Sequence, residues 1–381
     1  MPSIAPGAAH MPRSGIRRVM DAAWKSGEPF IGMHVGEPDF APPPHVVLAA
    51  QEAYAEGETH YVPNAGIPAL RRAIAEKVSA QNGIAASPEQ IIVTAGGSQA
   101  LHLAFTLTVA PGDEVLIPDP GWPNFAMAVE LLDGVPVRYP LAADRGFLPD
   151  VDALGALVTD RTRAILVNSP SNPLGTVIPE ETMRRLVAFA AEHDIWLLSD
   201  ECYDALTYGV ESVSPARLDT AGVVISAFSF SKTYAMTGVR VGYLVVPEGI
   251  GPIAAKLQEP MVSCINVPAQ FAALAALTGD QAHVSVMRDS YAERRRLAMD
   301  ALDRVGIPYI EPLGAFYIWV DLREIAGDSV EEFAMALLER ERVAIAPGTA
   351  FGAHGEGWAR LSLATDSDDI VRGIERIGAM R

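Results

Sequence analysis

The sequence predicts an α/β protein: a large domain whose mostly parallel sheet is sandwiched by helices, joined to a smaller α+β domain. Three observations carry this. From Ile91 to Val246, short apolar runs of strand length alternate with helix-length amphipathic stretches, the βαβ pattern. Beyond Pro268 that alternation gives way to long helices broken by isolated short strands. The chain is 381 residues long, enough for roughly two to three domains with a large core.

Taken in order, Met1 to Pro12 is rich in Pro, Gly and Ala and reads as a loose arm without a signal pattern. Ile16 to Ser26 has helical spacing and ends before Pro29. Phe30 to Val35 is a short strand that runs into Gly36-Glu37-Pro38-Asp39-Phe40 and a Pro-rich turn. Helices follow at Val46–Glu56 and Pro68–Gln81, separated by the loop Tyr61 to Gly66. Strands at Ile91–Thr94, Glu114–Ile117, Ala164–Asn168, Ile195–Leu198, Val223–Phe228 and Val239–Val246 alternate with helices at Ser98–Val109, Asn124–Leu132 and Glu180–His193. The smaller unit holds helices at Ala269–Leu277, His283–Val305 and Val330–Arg340, strands at Tyr317–Val320 and Ala359–Leu363, and a final helix. The expected division is 1–45 for the arm and part of the small domain, 46–285 for the large domain, and 286–381 for the small domain.

Composition narrows the function. A formal net charge of −18 leaves no excess of Lys and Arg to neutralise nucleic-acid phosphates. No apolar run is long enough to span a bilayer, and no membrane partner is expected. Two cysteines, Cys202 and Cys264, lie in apolar contexts far from any metal-ligand spacing, which fits buried thiols in a reduced, cytoplasmic protein. The histidines are scattered, so no metal site is expected.

The chemistry gathers at strand ends. Val223–Phe228 delivers Ser229-Phe230-Ser231-Lys232-Thr233-Tyr234 to a strand's carboxyl end, where open α/β sheets bind ligands. A lysine taken out of water has its ammonium form disfavoured, which frees the amine for carbonyls. Ser229, Ser231 and Arg240 together suit a phosphate, and an amine beside a phosphate suits pyridoxal phosphate. Taken alone, this string is better explained as a solvated lysine in a Ser/Thr-rich loop; the other motifs have to decide. Gly96-Gly97-Ser98-Gln99 opens a helix after a strand and could receive an anion on backbone N–H groups, or be a simple turn. Asp200 ends a buried strand: it would pair with a protonated pyridine nitrogen, or cap a turn. Tyr203 could reach a ring oxygen. Asn172, in a Pro/Asn/Gly turn, could aim an amide into the crevice or serve the turn alone. Trp122 could stack on a cofactor ring or sit in the core. The Arg360 fork suits a substrate carboxylate or a surface ion pair.

Seven motifs in order lift these alternatives: Gly36 through Phe40, Tyr61 through Arg71, Gly96 through Leu101, Asn168 through Gly175, Asp200 through Tyr203, Ser229 through Lys232 with Arg240 and Gly242, and Arg360-Leu361-Ser362. Over nearly its whole length the chain resembles the class I/II, fold type I, pyridoxal-phosphate-dependent aminotransferases. The resemblance implies pyridoxal 5′-phosphate as cofactor, with Lys232 joined to it and then moving the substrate proton. It implies Asp200 on the ring nitrogen and Tyr203 and Asn172 on the ring oxygen. Gly97, Ser98, Ser229, Ser231 and Arg240 would hold the phosphate, Gln99 would stand beside them among the cofactor contacts, and Trp122 would stack on the ring. Gly36, Asn172 and Arg360 would meet the α-carboxylate. Tyr61 would reach the phosphate of a partner subunit, implying a homodimer. The reaction implied is amino-group transfer between an L-amino acid and a 2-oxo acid by a ping-pong scheme, within amino acid metabolism.

Two departures matter. Leu174 stands where many members carry threonine, a change that alters packing more than catalysis; Ser98, where some aspartate-using relatives carry a lysine, bears on substrate. Leu257 to Gln270 also lacks an arginine to clamp a second carboxylate from a neighbouring subunit. The expected donors are therefore neutral, aliphatic or aromatic, with glutamate or 2-oxoglutarate retained as a possible partner. An aspartate-type aminotransferase and a carbon–sulfur β-lyase on the same scaffold are the alternatives. A metabolite-sensing regulator would usually need an appended DNA-binding module, and a dehydrogenase would need a Gly-x-Gly-x-x-Gly turn that is missing.

Overall fold

The computed structural model describes Pro2, Ile4, Met11 and residues 15–381. The remainder of the expected arm, Met1 to Pro12, lies outside the described residues. In chain order the longer elements are α1 (Gly15–Ser26), β1 (Ile31–Met33), α2 (Pro44–Ala55), α3 (Pro68–Asn82), β2 (Ile91–Thr94), α4 (Gly97–Thr108), β3 (Glu114–Asp119), α5 (Asn124–Glu130) and β4 (Val135–Pro140). Then come β5 (Thr162–Asn168), α6 (Glu180–Glu192), β6 (Trp196–Asp200), β7 (Val224–Ser229), β8 (Gly242–Val245), α7 (Gly251–Val262), α8 (Val267–Thr278) and α9 (Ala282–Val305). The last are β9 (Tyr309–Ile310), β10 (Tyr317–Asp321), α10 (Val330–Glu341), β11 (Val343–Pro347), β12 (Trp358–Ser362) and α11 (Ser367–Ala379).

Seven strands form the large sheet in the order β2-β8-β7-β6-β5-β3-β4, with β8 antiparallel to both its neighbours and the other pairs parallel. The parallel strands are apolar on both sides because helices cover both faces. Along β6, Leu197 packs with Leu186 and Ala190 of α6, while Leu198 packs on the opposite face with Leu101 and Phe105 of α4. The sheet is therefore enclosed, and its open ground is the rim where the strands end. Neighbouring strands end level: Asn168 lies opposite Asp200 and Asp200 opposite Ala227. Ser229 lies opposite Gly242, and Gly242 opposite Thr94.

The second sheet, β1-β11-β12-β10-β9, joins the chain's two ends, since β1 pairs in parallel with β11. Its core sets Phe316, Ile318 and Val320 against Met287, Tyr291, Ala298 and Leu302 of α9 and Ile370, Ile374 and Ile377 of α11. Helix α1 packs Val19 and Ala23 against Leu338 and Ala344 of this unit. Four elements were not expected: β4, α7, β9 and β11. In β4 three of six side chains are exposed, only Tyr139 is buried and a proline ends the strand, so no burial period shows. Helix α7 carries Pro252 in its first turn and Pro260 in its interior, both breaker signals. No helix among the described residues is long and apolar enough to cross a membrane.

Candidate active site

The level strand ends surround a cavity of about 380 Å³. The lining includes Gly36, Gly97, Ser98, Trp122, Asn172, Asp200, Tyr203, Ser229, Ser231, Lys232, Arg240 and Arg360, so twelve of the fourteen residues singled out by sequence meet here. Each arrives for a local reason. Asp200 is the last residue of β6, and Ser229 closes β7 and caps the single helical turn Phe230–Thr233, its Oγ accepting from the Ser231 N–H. Asn172 is placed by Asn168 at the end of β5, whose Oδ1 accepts from the Asn172 N–H at 2.7 Å.

Lys232 donates from Nζ to the Gly36 carbonyl at 2.6 Å. Burial lowers the amine to about 8; Cys202 and Glu37 oppose it, and Arg360 and Arg240 add smaller lowering contributions. About a tenth of the amine is thus neutral at pH 7. Asp200 is buried, and burial raises its carboxyl above the usual range while hydrogen bonds from Cys202 and the charge of Lys232 pull it back. Its one hydrogen bond to the backbone comes from the Cys202 N–H at 3.2 Å. A carboxylate this deep needs a cationic or N–H partner, and the cavity side is where one can come.

Gly97 begins the twelve-residue helix α4, whose first N–H groups face this rim. A Cβ on Gly97 would lie 2.8 Å from Cys202 Sγ and 3.3 Å from Ser229 Cβ, so glycine lets backbone and β7 close on the same spot. Across from it, Arg240 donates to the Thr237 carbonyl at 2.7 Å and reaches Ser231 Oγ at 3.5 Å. Helix N-terminus, two hydroxyls and a guanidinium form a cradle for a phosphate.

Arg360 is 2% exposed, a charge taken almost wholly out of water. It donates to Asn172 Oδ1 at 2.8 Å and to the His34 carbonyl at 2.5 Å, and its guanidinium lies 4.3 Å from the centre of the Tyr317 ring. Its Nε has no hydrogen-bond partner among the described residues. Burial lowers its affinity for its proton, and both partners in hand are neutral acceptors, so an incoming anion completes the pairing.

The family model for class I and II aminotransferases matches residues 28–377. The chain is a class I and II aminotransferase. It is 40% identical over 362 residues to the probable aspartate/prephenate aminotransferase of Aquifex aeolicus, covering 92% of this chain and 91% of that protein. It is 38% identical over 369 residues to the aromatic-amino-acid aminotransferase 2 of Thermococcus litoralis, covering 96% and 94%. Among solved structures, the aspartate aminotransferase of Thermus thermophilus with maleate superposes with a TM-score of 0.95 at 36% identity, covering all of both chains. Aminotransferases of this family use pyridoxal 5′-phosphate. The lysine, buried carboxylate and phosphate cradle just described are the donor set that cofactor requires.

Two expected residues are elsewhere in this aminotransferase. Gln99 is not on the cavity wall: its Oε1 accepts from the Ala95 N–H at 2.8 Å and its Nε2 donates to Gln258 of α7. Its side chain braces the turn before α4. Tyr61 is 88% exposed, on a separate groove with Tyr54, Cys264 and Ile265. Sequence reasoning missed Tyr317, whose hydroxyl meets that of Tyr203 at 2.8 Å, and the α1 residues Ile16, Arg17 and Met20 that close the cavity's outer side. The Gly314-Ala315 bend before β10 was the available signal for Tyr317.

Below the rim, Glu201 is buried, accepts from Ser214 Oγ at 2.9 Å, and is pushed up to about 7 by burial. Burial and the neighbouring Asp200 raise the Cys202 thiol well above its ordinary value, which suits packing and not nucleophilic chemistry.

Proposed function

We propose that this aminotransferase exchanges an amino group between a neutral, aromatic or aliphatic L-amino acid and a 2-oxo acid, with Lys232 as the base. The observation that carries the reading is the buried Lys232 amine, lowered to about 8, in one cavity with Asp200 and Arg360. Pyridoxal phosphate supplies an electron sink for the pair of electrons left when Cα loses its proton. The protein's residues do the rest. Asp200 holds the proton of the ring nitrogen, and the Tyr203 hydroxyl and Asn172 amide engage the ring oxygen. Gly97, Ser98, Ser229, Ser231 and Arg240 grip the phosphate, and Trp122 flanks the ring. Arg360, with Asn172 and the backbone at Gly36, orients the substrate by its α-carboxylate. Lys232 Nζ would take the Cα proton and return it two atoms further along, an effectively unimolecular shift between fixed groups.

The substrate class is supported by apolar walls: Ile16, Met20, Val35 and Trp122 line the cavity, and Ser98 is neutral. The aromatic enzyme of Thermococcus litoralis agrees with this. A homodimer is proposed because the exposed Tyr61 groove adjoins a second groove that includes Arg240 of the cradle. An isologous pairing of these faces would bring each Tyr61 to the other subunit's phosphate. A cytoplasmic location is proposed from the two unpaired cysteines. The division into 1–45 with 286–381 and 46–285 is likewise a proposal, supported by the two separate sheets.

The test is the visible spectrum of the holoenzyme titrated with single amino acids. Phenylalanine, tyrosine and leucine should bleach the cofactor band and yield their 2-oxo acids. Pyruvate and ammonia released without an acceptor would point to a β-lyase instead.

A further inference from the structure

We propose that Lys77 and Asp204, a buried ion pair between α3 and the turn after β6, are positioning residues that hold the Tyr203 hydroxyl to the cofactor's ring oxygen. This rests on the aminotransferase reading of the cavity, in which Tyr203 engages that oxygen. The pair stands outside the cavity lining, and each of its side chains is only 8% exposed. Lys77 Nζ donates to Asp204 Oδ2 and, at 2.9 Å, to Asn82 Oδ1, while Asn82 Nδ2 donates to the same Asp204 oxygen at 3.1 Å. The ammonium also lies 4.9 Å from the centre of the Phe228 ring on β7. Helix α3, strand β7 and the turn after β6 thus converge on one pair of charges.

That turn is gripped from two sides. From the second sheet, the Ala315 N–H donates to the Leu206 carbonyl at 2.8 Å, and the Tyr208 hydroxyl donates to the Ala315 carbonyl at 2.5 Å. The Tyr203 hydroxyl itself meets that of Tyr317 at 2.8 Å. From the large sheet, the Cys202 N–H donates to Asp200 Oδ1 at 3.2 Å, and Lys77 takes hold of Asp204. Asp204 is the residue next to Tyr203, so anchoring its carboxylate to α3 fixes the backbone from which the phenol extends. Apolar side chains of similar volume would stabilise this space as well as a buried ion pair does, but without its directed geometry. Glu201, Tyr234 and Tyr243 share these surroundings; burial first, and the Asp204 charge after it, raises the value of each. Tyr234 stands two residues beyond Lys232, so the pair adjoins the arch of the reactive amine as well as the turn of Tyr203.

The test reads the pH midpoint of the holoenzyme's visible band. A hydroxyl donating to the ring oxygen favours the deprotonated form, in which that oxygen carries the larger negative charge. Tyr203→Phe should therefore raise the midpoint, by about one pH unit for one hydrogen bond to a charged group. Lys77→Met should raise it about half as far and lower kcat with KM nearly unchanged, and Lys77→Arg should recover part of both effects. In the Tyr203→Phe background Lys77→Met should add nothing, because the contact it positions is already gone; an uncompensated Asp204 charge acting directly would add its full shift. The double variant Lys77→Met/Asp204→Leu leaves no buried charge unpaired, so it should keep a Tm near that of wild type and still show the raised midpoint. An unmoved midpoint in Lys77→Met, full additivity with Tyr203→Phe, or a wild-type midpoint in the double variant would each overturn the assignment. Failure of the underlying reading would look different: no amino acid would bleach the cofactor band in wild type or variants.

Discussion

Replacing Arg360 with lysine keeps the charge and removes the fork. In the structure, two nitrogens of Arg360 are held at once, NH1 by Asn172 Oδ1 at 2.8 Å and NH2 by the His34 carbonyl at 2.5 Å. An ammonium at this position reaches one of these acceptors or the substrate carboxylate in a single-point contact. A hydrogen bond to a charged group contributes about 1.5–3 kcal/mol, so losing one from the clamp lowers kcat/KM roughly 10- to 100-fold. Arg360→Leu removes charge and fork together; the expected loss is about 3–5 kcal/mol, or roughly 10²- to 10⁴-fold. The assay is the single-turnover half-reaction with phenylalanine, followed by absorbance, beside the same measurement with 2-phenylethylamine. That amine has no carboxylate, so it should react at nearly equal, low rates in all three proteins. Cofactor uptake should also hold, since Arg360 is not part of the phosphate cradle. If Arg360→Lys matched wild type with phenylalanine, or if the amine lost as much as the amino acid, the carboxylate assignment would be refuted.

Lys232→Ala should abolish turnover, by more than the 10²- to 10⁴-fold that a positioned base typically contributes. Phosphate binding at Gly97, Ser229, Ser231 and Arg240 should survive, and borohydride reduction followed by peptide mapping should find no tag at position 232. Glu201 gives a stability prediction with a definite sign. Its carboxyl titrates near 7 in the fold against an ordinary value of 4.5, so the neutral form is the one the fold favours. The favourable contribution is complete below about 4.5 and is lost as pH rises to 7, about 3 kcal/mol in all. Glu201→Gln should therefore raise Tm relative to wild type increasingly from pH 4 to pH 8; a difference in Tm that stays flat across that range would exclude this burial cost.

How far the sequence could be read depended on where each signal is stored. The apolar strands β2, β3, β5, β6 and β7 announce themselves because both of their faces are covered, and the site residues at their ends follow at once. Edge strand β4 is exposed and ends in proline, so it carries neither an apolar run nor a clean alternation. The Pro-bearing α7 looks like a loop because its helical conformation is imposed by packing of Ala254 beneath the sheet. The Gln99 side chain turns to Ala95 and Gln258 and away from the cavity wall, a matter of side-chain direction that spacing does not reveal. Tyr317 and Arg17 reach the cavity from the second sheet and from α1, and nothing local to either residue says so. Contacts made across hundreds of residues belong to the tertiary fold.

Strand β8, set against the direction of its neighbours, ties two functions to one short length of chain. Because it enters the sheet at the rim that β7 leaves, the whole connection from Phe230 to Val241 stays at that rim. The amine of Lys232 and the guanidinium of Arg240 are anchored in that single arch, which bends through left-handed backbone at Ala235 and Arg240. A residue inserted or deleted there would displace the reactive nitrogen and the phosphate clamp relative to each other, whereas the far turn at Pro247–Ile250 could change length without touching either. Evolutionary and engineered variation in spacing should therefore collect at the far turn and be nearly absent from the arch.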